Sequence, residues 1–259
     1  MLNWTDYFRD EGMQVLVSKN SKNSENSKYS ENSENSENSK HSENSKNKSI
    51  KITFGEHPNF QSLKRSIEHM FSNKKNCLVL EQNVLYIVAD SIENLSTSRE
   101  KKNNINIKYN QSLHFINSFS KQLSFLFENE KKGFYTFDPN KFVIINNSIL
   151  CYLSINHLKN ITEKQTLEIL SLPESRTFLS PELRSLPIDV WPPIYIHFHT
   201  IYHSFAQFLL YFLDMKRKEL QELKELEQNE INVIYGTKLH DFIQRCLKKE
   251  IENRSFFFI

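Results

Sequence analysis

At 259 residues the chain is long enough for one large domain or two small ones, and a polar tract near the N-terminus holds its hydrophobic share to 38%. A net charge of +2 leaves no basic footprint for nucleic acid, and four scattered glycines (Gly12, Gly55, Gly133, Gly236) exclude a glycine-rich phosphate loop. Cys77, Cys151 and Cys246 lie far apart with no C-x-x-C, which points to a reducing intracellular compartment rather than a disulfide framework or a cysteine zinc site. The opening MLNWTDYFRDEG is charged and has no apolar run, unlike a signal peptide.

In chain order, residues 1–18 form an N-terminal segment with room for a first strand. Residues 19–48 repeat (K/E)-N-S, with nothing apolar to bury, so this tract is expected to be disordered. Ser49 to Phe54 alternates like a strand. Phe60, Leu63, Ile67 and Met70 mark one face of a helix. Asn73 to Asn76 reads as a turn, and Cys77–Leu80 with Val84–Ala89 reads as a hairpin. Arg99 to Lys108 looks like a polar linker, and Leu113, Ile116, Phe119, Leu123 and Leu126 predict a helix over Ser112–Glu130 that Gly133 would end. A second hairpin is expected at Phe142–Ile145 and Ile149–Leu153, and a short helix at Thr162–Leu172.

Prolines then crowd the loops before an uncharged run from Ile194 to Leu213. Its length suits a membrane span, but three histidines, a threonine, a serine and a glutamine fit a helix buried in a protein core better. Asp214 to Glu230 predicts a charged helix with a solvated face, and Lys238 to Lys249 the last helix. Strands first and helices after give an α+β, two-lobed chain: a reduced first lobe over 49–93 and a helical second lobe over 94–259.

This order resembles a eukaryotic-type protein kinase, and in particular the divergent kinase-like proteins of large DNA viruses. Phe178-Leu179-Ser180-Pro181-Glu182-Leu183 is similar to the A-P-E segment, and Leu247-Lys248-Lys249-Glu250-Ile251-Glu252-Asn253-Arg254 to L-x-x-D-P-x-x-R, with Glu for Asp and Ile for Pro. The resemblance implies that Glu182 and Arg254 form a buried ion pair. Tyr202-His203-Ser204-Phe205-Ala206 resembles the W-S-x-G of the central helix, with Ile201 where kinases keep an aspartate. The likeness spans residues 49–259 and is most specific from Phe178 onward.

The same resemblance marks the chemistry. Lys51, in Ser49-Ile50-Lys51, is similar to the lysine of the third strand, and Glu68 stands where its partner glutamate belongs; together they would be the ATP-binding pair. Thr136-Phe137-Asp138 takes the place of H-R-D, which makes Asp138 the candidate base. Asp138-Pro139-Asn140-Lys141 is too short for D-x-x-x-x-N, and alignment on the following strand puts Thr136 at the base and Lys141 at the metal-binding asparagine. Leu153-Ser154-Ile155-Asn156 offers no carboxylate where D-F-G should stand. The reading is therefore a degenerate kinase, a pseudokinase binding or scaffold module with a protein partner and no firm cofactor. Two alternatives stand beside it: an active atypical Ser/Thr kinase that uses Asp138 with ATP and magnesium, and an unrelated helical interaction protein. His197, His199 and His203 have spacing that zinc could use, but with no carboxylate in the segment they read as core or interface histidines.

Overall fold

The computed structural model describes residues 3–10, 12–19, 48–71, 77–81, 83–100, 104–173, 176–187, 189–214 and 234–256. Residues 20–47 of the (K/E)-N-S tract, the Asn73–Asn76 turn and the charged stretch after Asp214 lie outside these residues, while the two ends expected in the disordered tract, Lys19 and Lys48, belong to strands.

Strands β1 (Asn3–Asp10), β2 (Met13–Lys19), β3 (Lys48–Phe54), β4 (Cys77–Glu81) and β5 (Val84–Ala89) form one antiparallel sheet in the order β1-β2-β3-β5-β4. The expected reduced lobe over 49–93 therefore gains two strands from the first 19 residues. The polar tract is an insertion between neighbouring strands, for Lys19 sits opposite Lys48 across the β2–β3 ladder. Met13 and Val15 of β2 are buried beside Ile50, Ile52 and Phe54 of β3, each at period two. β1 is harder to read in sequence because it is a polar edge strand with its register broken between Asp6 and Phe8.

Gly12 closes the β1–β2 hairpin at φ +71°, and its carbonyl accepts the Gly55 amide at 2.6 Å. A Cβ on Gly12 would stand 2.8 Å from the Phe60 ring. The hairpin tip is thus seated on the first turn of α1 (Pro58–Met70), whose own start is capped by His57 Nδ1 accepting from the Asn59 amide at 3.2 Å. Phe60, Leu63, Ile67 and Met70 form the buried face of α1. On its other side Arg65 makes a two-point contact to Glu130 at 2.7 Å each, and Ser62 donates to the same carboxylate at 2.8 Å. That ties α1 to Glu130 at the far end of a later helix, α3 (Ile105–Glu130).

β6 (Ile92–Glu93) leads into α2 (Leu95–Glu100) and α3 (Ile105–Glu130), so helix occupies most of the expected Arg99–Lys108 linker. The polarity of that stretch misleads because its polar groups are used. Asn94 and Asn104 cap the two helices through the amides of Thr97 and Asn106, and buried Lys108 pairs with Asp214 at the end of the later helix α5. α3 ends earlier than Gly133 would end it, with Lys131 in the left-handed region at φ 51°. Gly133 lies instead in β7 (Lys132–Phe134), paired with β10 (Leu158–Asn160).

β8 (Phe142–Ile145) and β9 (Ile149–Tyr152) make the expected second hairpin, turned by Asn146 and Asn147 at φ 52° and 55°. The short helix expected at Thr162–Leu172 is instead strand β11 (Thr166–Ile169), paired with β12 (Ile194–His197). Leu167, Ile169, Ile194 and Ile196 are buried while Glu168 and Tyr195 are exposed, a period of two rather than 3.6. The uncharged run from Ile194 is thus a strand followed by α5 (Thr200–Phe212), and among the described residues no helix is long and apolar enough to cross a membrane. α4 (Pro181–Arg184) and α6 (Lys238–Cys246) complete the helices.

The chain is α+β with antiparallel sheets. One hydrophobic core runs from the sheet through α1, α3, β8, β9, α5 and α6, and a satellite core gathers around Tyr135, Leu167, Ile169, Leu183, Ile194 and Phe198. The seat of the hairpin gives a direct test. Gly236 also has a positive φ, but nothing lies within 4 Å of its Cβ position. Gly236→Ala is expected to cost about 1 kcal/mol of left-handed strain. Gly12→Ala must also displace Phe60 and should cost about 2–3 kcal/mol in urea unfolding.

Candidate functional site

The loop between β7 and β8 holds the candidate base. Tyr135, Thr136 and Phe137 are buried, and the Phe137 ring sits among Phe119, Phe142 and Tyr152 at centroid distances of 4.9–5.3 Å. That packing leaves Asp138 at the rim. Its Oδ1 accepts from the Asn140 amide at 2.9 Å, and its own amide donates to Tyr152 Oη at 2.8 Å. Tyr152 Oη also meets His157 Nδ1 at 2.5 Å, while Gln122 clasps the Tyr152 backbone from both sides. Burial pushes the Tyr152 phenol well above its ordinary pKa, so it stays a neutral hydroxyl in this chain of bonds. Asp138 thus caps the 3-10 turn at Pro139–Lys141.

The strand-based alignment places Thr136 at the base position. Thr136 is fully buried, and its hydroxyl has no hydrogen-bond partner among the described residues. Lys141, at the position of the metal-binding asparagine, holds its Nζ 4.9 Å from the centre of the Phe8 ring. Beyond β9, Leu153 and Ser154 are buried in the stretch that lacks a carboxylate.

Lys51 and Glu68 are not brought together. Lys51 alternates with buried Ile50 and Ile52 on β3, which sends its side chain to the opposite face of the sheet from the α1 core. Its Nζ lies 5.7 Å from the Tyr86 ring centre, and Trp4 packs edge-on against the same ring. Glu68 pairs with Lys64 one turn away on α1, at 2.9 Å. The spacing in sequence suited a pair, but strand parity decides otherwise.

The residues that sequence reasoning missed are Tyr7 and Phe8. The break in register on β1 falls at Tyr7, and both rings pack against the main core. Tyr7 Oη is buried with no hydrogen-bond partner among the described residues. Burial, and then the charge of Glu93 on β6, push its pKa up. The β1–β2 hairpin thus lays two aromatic rings toward β6 and Lys141. The adjacent aromatics were visible in Asp6-Tyr7-Phe8-Arg9, but nothing in a polar segment marks which of them turns inward.

The pair expected from the C-terminal motifs is present in the geometry. Arg254 Nη1 and Nη2 donate to the two Glu182 carboxylate oxygens at 3.0 and 2.6 Å. Arg254 is 1% exposed, and it also donates to the carbonyls of Lys248 at 2.8 Å and Lys249 at 3.2 Å. Burial alone would raise the Glu182 pKa, but the Arg254 hydrogen bonds and charge outweigh it and hold the carboxyl below its ordinary value. His203 on α5 lies buried beside the pair. Burial first, then the Arg254 charge, pushes its pKa down to about 3.

No protein-family model matches the sequence, and no curated protein is similar to it. Function has to be argued from the residues.

The zinc reading of the three histidines does not survive their geometry. The helix starts only at Thr200, so His197 stands on β12 and His199 precedes α5. His197 Nδ1 accepts from the His199 amide at 3.2 Å, and His199 Nδ1 meets the Ile251 carbonyl at 3.2 Å. Among the described residues no three His, Cys, Asp or Glu side chains are grouped to hold a metal ion. Cys151 and Cys246 are buried thiols, and burial pushes the Cys246 pKa up and away from thiolate chemistry.

Two measurements test this region. Arg254→Met strands the Glu182 carboxylate, and Glu182→Gln leaves the guanidinium without its counter-charge; each should cost about 3–5 kcal/mol in denaturant unfolding. The pH dependence has a defined sign. The unfolded chain protonates His203 near 6.5 while the folded chain resists down to about 3, so stability falls as pH drops through that window. The slope approaches about 1.4 kcal/mol per pH unit, and His203→Leu should flatten it. The Glu182 contribution is held above the ordinary carboxylate range and is lost only as pH falls through the depressed folded value.

Proposed function

We propose that the chain is a protein kinase-like molecule that has lost phosphoryl transfer and works as a binding or scaffold module for a protein partner. The observation that carries the kinase likeness is the two-point contact between Glu182, in the A-P-E-like segment, and Arg254, in the L-x-x-D-P-x-x-R-like segment. Two charges so far apart in sequence, at the positions where the family pairs them, are hard to match by chance. The sheet with its helix α1, followed by α3, the β8–β9 hairpin and α5, supports the same two-lobed reading.

The loss of activity rests on the chemistry. Phosphoryl transfer needs a lysine on the phosphates, carboxylate or amide oxygens on magnesium, and a base beside the hydroxyl nucleophile. Here Lys51 lies over Tyr86, Lys141 brings a positive charge to a metal-ligand position, and Asp138 is engaged as a turn cap. Tyr7 and Phe8 supply apolar surface where phosphates would need backbone amides.

A thermal-shift titration with magnesium-ATP, paired with a radiolabel transfer assay on a generic protein substrate, tests the proposal. A ligand at a thousand times its Kd would add about 4 kcal/mol and raise the melting temperature by several degrees. The expected result is no shift and no label transfer. Stabilisation by magnesium-ATP, with transfer abolished in Asp138→Asn, would overturn it in favour of an active atypical kinase.

A further inference from the structure

The large exposed hydrophobic residues of the described chain are Ile107, Leu170, Trp191, Tyr195 and Tyr235, and three of these five belong to the β11–β12 ribbon and its approach. Trp191 is 87% exposed, Leu170 63% and Tyr195 57%. Strand parity puts Glu168, Leu170 and Tyr195 on the outer face, because Leu167, Ile169, Ile194 and Ile196 fill the satellite core on the inner one. Trp191 precedes β12 through Pro192-Pro193, both exposed. Isolated exposed apolar residues are ordinary, but a set gathered on one ribbon is the mark of an interaction surface.

The backbone adds a second feature. β12 pairs with β11 alone in a two-stranded sheet, so among the described residues no strand covers its other edge. The Phe198 amide donates to the Gln165 carbonyl at 3.0 Å, which sets the phase of the ladder. Alternation then makes Ile196/Leu167 and Ile194/Ile169 the hydrogen-bonded pairs, and turns the backbone groups of Tyr195 and His197 outward. That edge can accept an added strand.

Charge selects what would be added. Over 166–172 and 189–196 the charged residues are Glu168 and Asp189, both exposed carboxylates. A second copy of this ribbon brings no lysine or arginine over those residues to meet the carboxylates, and an anionic membrane surface would be repelled by them. Lysine or arginine side chains on an incoming strand would meet the carboxylates and the Trp191 and Tyr195 rings together.

We propose that the free edge of β12, flanked by Leu170, Trp191 and Tyr195, docks an extended cationic segment of a partner protein as a third strand. This deepens the scaffold reading by naming the partner's chemistry, and its test is independent of nucleotide. Short fluorescein-labelled peptides alternating Val with Lys, Val with Glu, and Val with Lys but N-methylated along one edge would be titrated against the full chain in fluorescence anisotropy at low salt. The Val-Lys peptide should bind. The Val-Glu and N-methylated peptides, and the Trp191→Ala and Glu168→Lys variants with the Val-Lys peptide, should bind at least about tenfold more weakly. Both positions are exposed, so unchanged melting curves would establish that the variants are folded. Absence of Val-Lys binding, equal binding of the Val-Glu peptide, or variants that bind like wild type would each overturn the proposal. So would a concentration-dependent dimer, by sedimentation, that Glu168→Lys leaves intact. A magnesium-ATP shift accompanied by Asp138-dependent label transfer would sink the pseudokinase reading while leaving this measurement untouched.

Discussion

A guanidinium with 1% of its residue surface exposed has surrendered its hydration, and the protein must replace the lost contacts. Arg254 makes four hydrogen bonds in their place, two to the oxygens of Glu182 and one each to the carbonyls of Lys248 and Lys249. This constrains more than two side chains. The turn after α6 has to present two carbonyls, α4 has to hold its second residue within reach, and α5 has to pass alongside with His203 neutral. Buried ion pairs add little net stability once desolvation is counted, but they penalise every arrangement in which either partner is misplaced. The part of the chain from Phe178 onward is therefore organised by geometry it cannot relax cheaply.

The opposite treatment appears around the loop between β7 and β8, where rings fill the space. Phe137, Phe142 and Tyr152 pack among themselves, Phe8 covers Lys141, and Tyr7 buries a hydroxyl near Glu93. A metal-phosphate site depends on polar groups held open and unsatisfied until ligand arrives. Here the nearby polar groups bond to one another: Asp138 to Asn140, Tyr152 to Asp138 and His157, Gln122 to Tyr152. The buried hydroxyls of Thr136 and Tyr7 stand apart from this network, with no hydrogen-bond partner among the described residues.

What could be read from the sequence follows a physical line. Elements with a clean period and a single solvent boundary were legible: β3, α1 and the β8–β9 hairpin fall where their apolar spacing puts them, and so does α3 from Ser112 on, although it begins seven residues earlier at Ile105. Segments went astray where tertiary partners overrode local character. The Arg99–Lys108 stretch looks like a linker only until Lys108 is seen buried against Asp214. The Ile194–Leu213 run looks like one helix until the Ile194 and Ile196 alternation is paired with β11. At the site, the Glu182–Arg254 pairing was expected only from the resemblance of two segments to kinase motifs; nothing in the spacing of the two residues encodes it. The Lys51–Glu68 pairing failed because sequence distance does not encode which face of a strand a side chain leaves from. Tyr7 was hidden because a single break in register re-aims one residue without changing its neighbours.

The insertion between β2 and β3 has a consequence of its own. Its two ends are anchored side by side, since Lys19 and Lys48 are ladder partners. The β2–β3 ladder therefore fixes where the repeat leaves the sheet and where it returns, one strand spacing apart, whatever the number of triplets between.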